Sequence, residues 1–107
     1  MEEIVLKIII HAGNAKSMLY EALDYAKEND FKKADELIEN ANEEILKAHK
    51  VQTELIQKEA GGDKSDISIL LIHSQDHFIA ADIMMTVATQ YLGQAKRLHA
   101  LEAKVNG

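Results

Sequence analysis

The sequence contains no cysteine, no proline and no tryptophan in its 107 residues. Without cysteine the chain has no disulfide framework, no thiolate metal site and no cysteine nucleophile, and it fits a reducing compartment. Without proline the strongest helix breaker is missing everywhere. Positive charge is also scarce, since 12 Lys and Arg stand against 18 Asp and Glu. The resulting net charge of −6 argues against nucleic-acid binding, which needs a basic surface.

Long hydrophobic runs are absent as well. The run Ile8–Ile10 is far too short to span a membrane or to form the apolar region of a signal peptide. Glu2 and Glu3 stand where a secretory signal carries basic residues. We therefore expect a cytoplasmic protein with no membrane insertion, formed by a single domain over residues 1–107. A chain this short buries a limited core alone, so we expect it to oligomerise.

Two breaks, at Asn29-Asp30 and at residues 60–65, divide the chain into three segments with helical periodicity. The segments cover roughly residues 3–28, 31–59 and 66–103. In the first, the apolar stripe comprises Ile4, Ile8, His11, Ala15, Met18 or Leu19, Ala22 and Ala26. In the second it comprises Phe31, Ala34, Ile38, Ala41, Ile45, Ala48, Gln52, Leu55 and Ile56, with Gln52 as a polar interruption. Spacings of three and four predict amphipathic helices, because strands would alternate with period two.

The residues at the breaks favour helix ends. Asp30 can cap the second helix, and Ser65 or Asp66 can cap the third, because their side chains accept from free backbone N–H groups. Gly61-Gly62 suits a helix end that needs positive φ. With short connections, these segments predict an all-α, up-down-up three-helix bundle.

The third segment carries two apolar stripes. One comprises Leu70, Ser74, Phe78, Ala81, Met85, Ala88 and Leu92, and the other, the isoleucine stripe, comprises Ile69, Ile72, Asp76, Ile79 and Ile83. A helix that is apolar on two sides is buried on two sides, and a three-helix monomer covers only one. The spacing of three, four, three and four favours a coiled-coil seam, and isoleucine at both positions favours a trimer or tetramer. The alternative is a central helix in a larger monomeric bundle.

Asp76 lies in the middle of the isoleucine stripe. A buried carboxylate must protonate, pair or bind a cation. In a symmetric trimer three copies would meet on the axis, which suits a divalent cation such as Mg²⁺ or Ca²⁺. The alternative is a polar residue that sets the register, protonated or bridged by water.

His73 and His77 lie four residues apart, on one face of the helix and beside the isoleucine stripe. Gln75 lies on the other flank of the stripe. In a parallel symmetric interface these flanks face each other, so a site at His73 would lie between subunits, near Gln75 of the neighbour. Spacing alone leaves three interpretations: a zinc site, structural histidines, or a histidine nucleophile assisted by a second histidine. Elsewhere we interpret His11 as a packing residue and Glu43-Glu44 as a solvated face.

The segment Leu70–Phe78, which reads LLIHSQDHF, closely resembles the third-helix motif of the IIA component of the lactose/cellobiose (N,N′-diacetylchitobiose) class of the sugar phosphotransferase system. Residues 10–17 (IHAGNAKS) and 48–56 (AHKVQTELI) are also similar to that family, and the resemblance covers roughly residues 4–90. Ser74 stands where alanine is common in the family.

The resemblance implies a homotrimer of three-helix subunits, a nine-helix assembly. It implies a phosphocarrier that takes a phosphoryl group from HPr and passes it to a cysteine of the IIB component, for use by the IIC permease on a β-glucoside-type sugar. By motif, His73 matches the phosphorylated histidine, Gln75 and His77 match residues that line the phosphoryl site, and Asp76 matches the aspartate of the axial metal, for which we expect Mg²⁺. The alternatives are a non-catalytic helical oligomerisation or adaptor module, and a His/Asp metal-binding bundle.

Overall fold

Three α-helices make up the fold. The computed structural model describes residues 2–62 and 68–107, with α1 at Glu2–Lys27, α2 at Phe31–Ala60 and α3 at Ile69–Asn106. The helix ends lie within three residues of the predicted ones. The molecule is a rod of 64 × 19 × 19 Å. The prediction of an all-α three-helix protein is therefore confirmed.

The break between α1 and α2 works through backbone geometry and one side chain. Asn29 has φ +61°, a left-handed conformation that asparagine tolerates better than most residues. The N–H of Asp30 bonds the carbonyl of Tyr25 at 2.9 Å and the N–H of Asn29 bonds that of Ala26 at 3.1 Å, which closes the end of α1. Asp30 then caps α2, as predicted, by accepting from the N–H of Lys33 at 3.3 Å.

The helix α2 ends at the two glycines that the sequence indicated. Gly61 is the C-cap of α2, and Gly62 has φ +97°, which only glycine adopts at little cost. The cap of α3 is Ser68, whose hydroxyl accepts from the N–H of Leu71 at 3.0 Å. The expected caps Ser65 and Asp66 lie outside the described residues, and α3 begins at Ile69, later than the predicted residue 66.

Successive helices run in opposite directions. Lys96, late in α3, bonds Asp35, early in α2, at 2.9 Å. Gln52, late in α2, bonds Gln75, early in α3. Because both contacts join opposite ends of the two helices, α2 and α3 are antiparallel.

The core between the helices consists largely of alanine. The buried residues are Val5, Ile8, Ala12, Ala15, Leu19, Ala22, Ala26, Ala34, Ala41, Ile45, Ala48, Leu55, Ser74, Ala81, Ala88 and Leu92. Such small side chains let the helix axes approach closely. The structure differs from the predicted core in two places. Val5 and Ala12 are buried in place of their neighbours Ile4 and His11. Ile56 is 57% exposed, although its spacing placed it on the apolar stripe of α2.

The isoleucine stripe is exposed in the single chain. Its four isoleucines are 54–87% accessible, while the other stripe of α3 faces α1 and α2. Further exposed apolar residues continue along α3, namely Val87, Leu98, Leu101 and Val105. The two-sided pattern of α3 is therefore real, and one of its sides has no cover within the described residues. No helix in those residues has the length and apolar character that a membrane span needs.

Candidate functional site

The two histidines of α3 form a contact pair. His73 and His77 stand one helical turn apart, and their Nε2 atoms are 2.9 Å from each other. Their rings meet edge to face at 83°, with centroids 4.3 Å apart. His73 is exposed and His77 is half-buried. One hydrogen atom is therefore shared between two imidazole nitrogens at the protein surface.

The surroundings of His77 decide which nitrogen carries that hydrogen. Its Nδ1 is buried and has no hydrogen-bond partner in the part of the chain that the structure describes. A buried donor without a partner is rarer than a buried acceptor without one. The favoured tautomer of His77 therefore carries its hydrogen on Nε2 and donates it to Nε2 of His73. His73 then keeps its own hydrogen on Nδ1 and a lone pair on Nε2.

A pocket of about 270 Å³ surrounds the histidine pair. Its lining residues are Lys16, His73, Asp76, His77 and Ala80. Burial lowers the pKa of the His77 imidazole, the electrostatic effects of the neighbouring His73 ring and of Lys16 lower it further, and Asp76 opposes them. His77 is thus held as a neutral hydrogen-bond donor at neutral pH.

Lys16 is the charged residue of this pocket that spacing did not single out. It projects from α1 and is half-buried beside α3. The available signal was weak: between Lys7 and Lys27 it is the single lysine or arginine of α1. A cation beside two histidines gives the pocket the character of an anion site.

Asp76 lies where the pocket meets the isoleucine stripe. It is exposed, and its neighbours along the stripe are Ile72 and Ile79. The described residues of one chain contain no group of three or more histidine, cysteine or acidic side chains arranged to hold a metal.

Gln75 lies away from the histidine pocket, on the α2 side of α3. It is half-buried and accepts a hydrogen bond from Gln52. The two glutamines line a separate groove of about 230 Å³ together with Leu55, Ile56, Glu59 and Leu71. Of the four predicted site residues, a single chain therefore brings His73, Asp76 and His77 together and keeps Gln75 apart.

A partly buried contact between a histidine and a carboxylate joins α1 and α2. Nδ1 of His11 is 2.6 Å from a carboxylate oxygen of Glu44, whose side chain is only 15% exposed. Partial burial raises the pKa of the Glu44 carboxyl, but the bond to His11 and the charges of His11 and Lys47 outweigh it, and the pKa lies below its ordinary value. The expectation of a solvated Glu44 is therefore wrong, because its side chain reaches back to the histidine of α1.

Known proteins are similar to this chain in sequence and in fold. Residues 3–96 match the family model of the PTS system lactose/cellobiose-specific IIA subunit. The lichenan-specific phosphotransferase enzyme IIA component of Bacillus subtilis is 42% identical over 92 residues, covering 86% of this chain and 84% of that protein.

Solved structures agree with the sequence match. The cellobiose-specific enzyme IIA of Bacillus anthracis superposes with a TM-score of 0.89 at 44% identity, covering 92% of this chain and 90% of that one. The IIA(Chitobiose) chain in a solution structure of the IIA(Chitobiose)–HPr complex of Escherichia coli superposes with a TM-score of 0.79 at 34% identity, covering 92% and 95%.

Fold, site and comparisons define a component of a sugar phosphotransferase system, an enzyme that handles phosphoryl groups. More particularly, the chain belongs to the lactose/cellobiose-specific IIA family.

Proposed function

We propose that this chain is a cytoplasmic, single-domain phosphocarrier whose His73 accepts a phosphoryl group from phospho-HPr and passes it to a cysteine of a IIB component. The observation that carries the proposal is the contact between Nε2 of His77 and Nε2 of His73. With the hydrogen on His77, as the unpartnered Nδ1 of that residue favours, the lone pair of His73 lies on Nε2. The relative from E. coli is described in complex with HPr, which supports the choice of donor.

In the first step, neutral His73 attacks phosphorus in line through Nε2. A P–N bond forms on His73 as the P–N bond of the donor histidine breaks. The transition state of such a transfer is loose, so positioning and charge stabilisation supply most of the catalysis. The N–H of His77, which donated a hydrogen bond to the lone pair of His73, then donates it to a phosphoryl oxygen.

The phosphoryl group brings close to two negative charges into a pocket that already holds Asp76. Lys16 and the N–H of His77 offset this charge. In the second step, a thiolate of IIB attacks the same phosphorus, and His73 leaves as a neutral imidazole. This chain contains no cysteine, so the thiolate belongs to a different component.

The working assembly is a homotrimer of nine helices. The exposed isoleucine stripe supports this part of the proposal, because its apolar surface needs a partner and its spacing suits a three-stranded seam. Three copies of Asp76 would then converge on the axis.

Those three carboxylates fit a divalent cation, and we propose Mg²⁺, since hard cations prefer oxygen ligands. One chain supplies a single carboxylate from the stripe, so the fit depends on the threefold arrangement. When bound, the cation would reduce the mutual repulsion of the three carboxylates.

The test is phosphorylation from phosphoenolpyruvate by the general phosphotransferase enzymes and HPr. We expect an acid-labile mass increase of about 80 Da, the mass of one phosphoryl group. His73→Ala should remove it, and His49→Ala, a change at an exposed histidine outside the pocket, should retain it. Unlabelled wild type, or label that survives His73→Ala, would instead favour an adaptor module with structural histidines.

A further inference from the structure

Gln52 is a polar residue at a position where α2 otherwise turns apolar side chains toward its neighbours. It is half-buried, and its Nε2 donates a hydrogen bond to Oε1 of Gln75 on α3. A polar side chain in such a place costs stability unless it is paired. The pairing with Gln75 explains how Gln52 is tolerated and suggests what it does.

The contact with Ser74 indicates which end of the Gln75 amide is the nitrogen. The buried hydroxyl of Ser74 donates to the carbonyl of Leu71 at 2.7 Å, so its oxygen presents lone pairs to Nε2 of Gln75 at 3.5 Å. The reversed amide would bring two lone pairs together. Oε1 of Gln75 is therefore occupied by Gln52, and Nε2 keeps a hydrogen for another acceptor.

The two flanks of α3 meet when copies assemble around the isoleucine stripe. His73 and Lys16 line the flank next to α1, whereas Gln52 and Gln75 line the flank next to α2. Around a threefold axis, the α2 flank of one subunit faces the α1 flank of the next. In such an assembly the free N–H of Gln75 would face His73 of the partner subunit.

We propose that Gln52 is a positioning residue: it fixes the amide of Gln75 so that an N–H, and not the carbonyl oxygen, faces the phosphoryl group on His73 of the partner subunit. The inference rests on the proposed function. Hydrogen-bond donors that are already oriented stabilise a transferring group because no reorganisation is needed during the reaction.

The first experiment compares phosphoryl transfer rates from phospho-HPr in two variants of Gln52. The carboxylate introduced by Gln52→Glu can only accept, so it turns Nε2 of Gln75 inward and its oxygen toward the phosphoryl group. We expect Gln52→Glu to slow transfer about tenfold and Gln52→Leu to slow it severalfold. Gln57→Glu, the same change at an exposed position of α2 outside the groove, should stay within about twofold.

Sedimentation of each variant measures the trimer content. If Gln52→Glu fails to fold, the transfer rate of Gln52→Leu serves as the test. Transfer at the wild-type rate in Gln52→Leu, or slow transfer that recovers as rising protein concentration restores the trimer, overturns the inference.

The second experiment mixes two kinds of subunit and separates positioning from a general structural role. His73→Ala subunits accept no phosphoryl group but retain Gln52 and Gln75. Mixed with Gln52→Glu subunits, they supply a correctly oriented Gln75 to the intact His73 of the partner subunit. We expect transfer to those sites to recover toward the wild-type rate, and no recovery overturns the inference.

The two proposals fail in different ways. If wild-type protein takes no label from phospho-HPr, the proposed function fails and the inference falls with it. If wild type is labelled on His73 and neither the Gln52 variants nor the subunit mixture behaves as described, only the role of Gln52 is overturned.

Discussion

Several polar side chains of this bundle have a specific hydrogen-bond partner. His73 and His77 share a hydrogen, His11 bonds Glu44, and Ser74 bonds the backbone of its own helix. His73 is exposed and His77, His11 and Glu44 are partly buried, whereas Ser74 is fully buried.

Lys16 should affect transfer more than folding. Lys16→Met removes the cation that offsets the phosphoryl charge, and we expect transfer from phospho-HPr to slow by about tenfold or more. Lys27→Met, at an exposed position in the last turn of the same helix, is the matched control. Rapid-quench kinetics would measure both, and equal rates for Lys16→Met and wild type would contradict the proposed role.

The pair of Glu44 and His11 should make stability depend on acid pH. The folded pKa of Glu44 is lowered, so the ionised carboxylate stabilises the fold above its unfolded pKa, and that contribution is lost as pH falls through the folded pKa. Relative to Glu44→Gln, wild type should be more stable at about pH 6, and the difference should shrink toward about pH 3. Urea unfolding at each pH measures this, and a difference independent of pH would count against it.

At the scale of the helix, each helix end is determined by residues next to it in the sequence, whereas the contacts between helices join distant residues. Asn29 with positive φ, the carboxylate of Asp30, Gly62 with positive φ and the hydroxyl of Ser68 each close or open a helix through neighbouring atoms. These residues depend on no distant part of the chain. Their effects on stability should therefore be separable from those of the site.

Asp30→Ala should destabilise the fold by about 1 kcal/mol, because the first turn of α2 loses the acceptor for the N–H of Lys33. Urea denaturation should show a lower midpoint with an unchanged slope. Asp24→Ala, at an exposed position within α1, should change stability by less than about 0.5 kcal/mol. Equal effects of the two substitutions would argue that the cap contributes nothing.

At the scale of the whole molecule, the main fact is the uncovered side of α3. The isoleucine stripe begins at the first residue of the helix, and exposed apolar residues follow along its length as far as Val105. Exposed apolar surface of this extent marks an interaction site. The same side carries Asp76 and borders both the histidine pocket and the Gln52–Gln75 groove.

Asp76→Leu tests this arrangement. It removes the only charged residue among the five of the isoleucine stripe, so we expect the trimer to be retained or strengthened and the binding of divalent cations to be lost. Sedimentation velocity and calorimetric titration with Mg²⁺ measure the two effects. Ile79→Asp, which adds a charge to the same stripe, should weaken the trimer. Monomers from Asp76→Leu would contradict the axial position.

Periodicity predicted the positions of the helices well, but it predicted less well which residues of each helix are buried. An apolar position within a helix identifies a face only to within about 100°, the rotation of one residue. This explains why Val5 and Ala12 are buried in place of the adjacent Ile4 and His11. Ile56 follows the apolar stripe of α2, but its side chain turns past the edge of α3 into the groove beside Gln75.

The candidate site also combines residues that share one helix with residues contributed by the other two helices. His73, His77 and Asp76 share one helix, so their proximity followed from spacing alone. Lys16 comes from α1 and Gln52 from α2, so their places in the two pockets depend on how the helices are aligned along their length. That alignment is set by side-chain packing between elements, which spacing within one element does not contain.

The sequence by itself determined the three helices, their ends, the two apolar sides of α3 and the histidine pair, because all of these depend on interactions between residues a few positions apart. The tertiary structure alone decided that Lys16 joins the histidine pocket, that Glu44 turns inward to His11, and that Gln52 holds Gln75 on the opposite flank. Those contacts join residues that are far apart in the chain. Only the packed geometry of three helices brings them within hydrogen-bond distance.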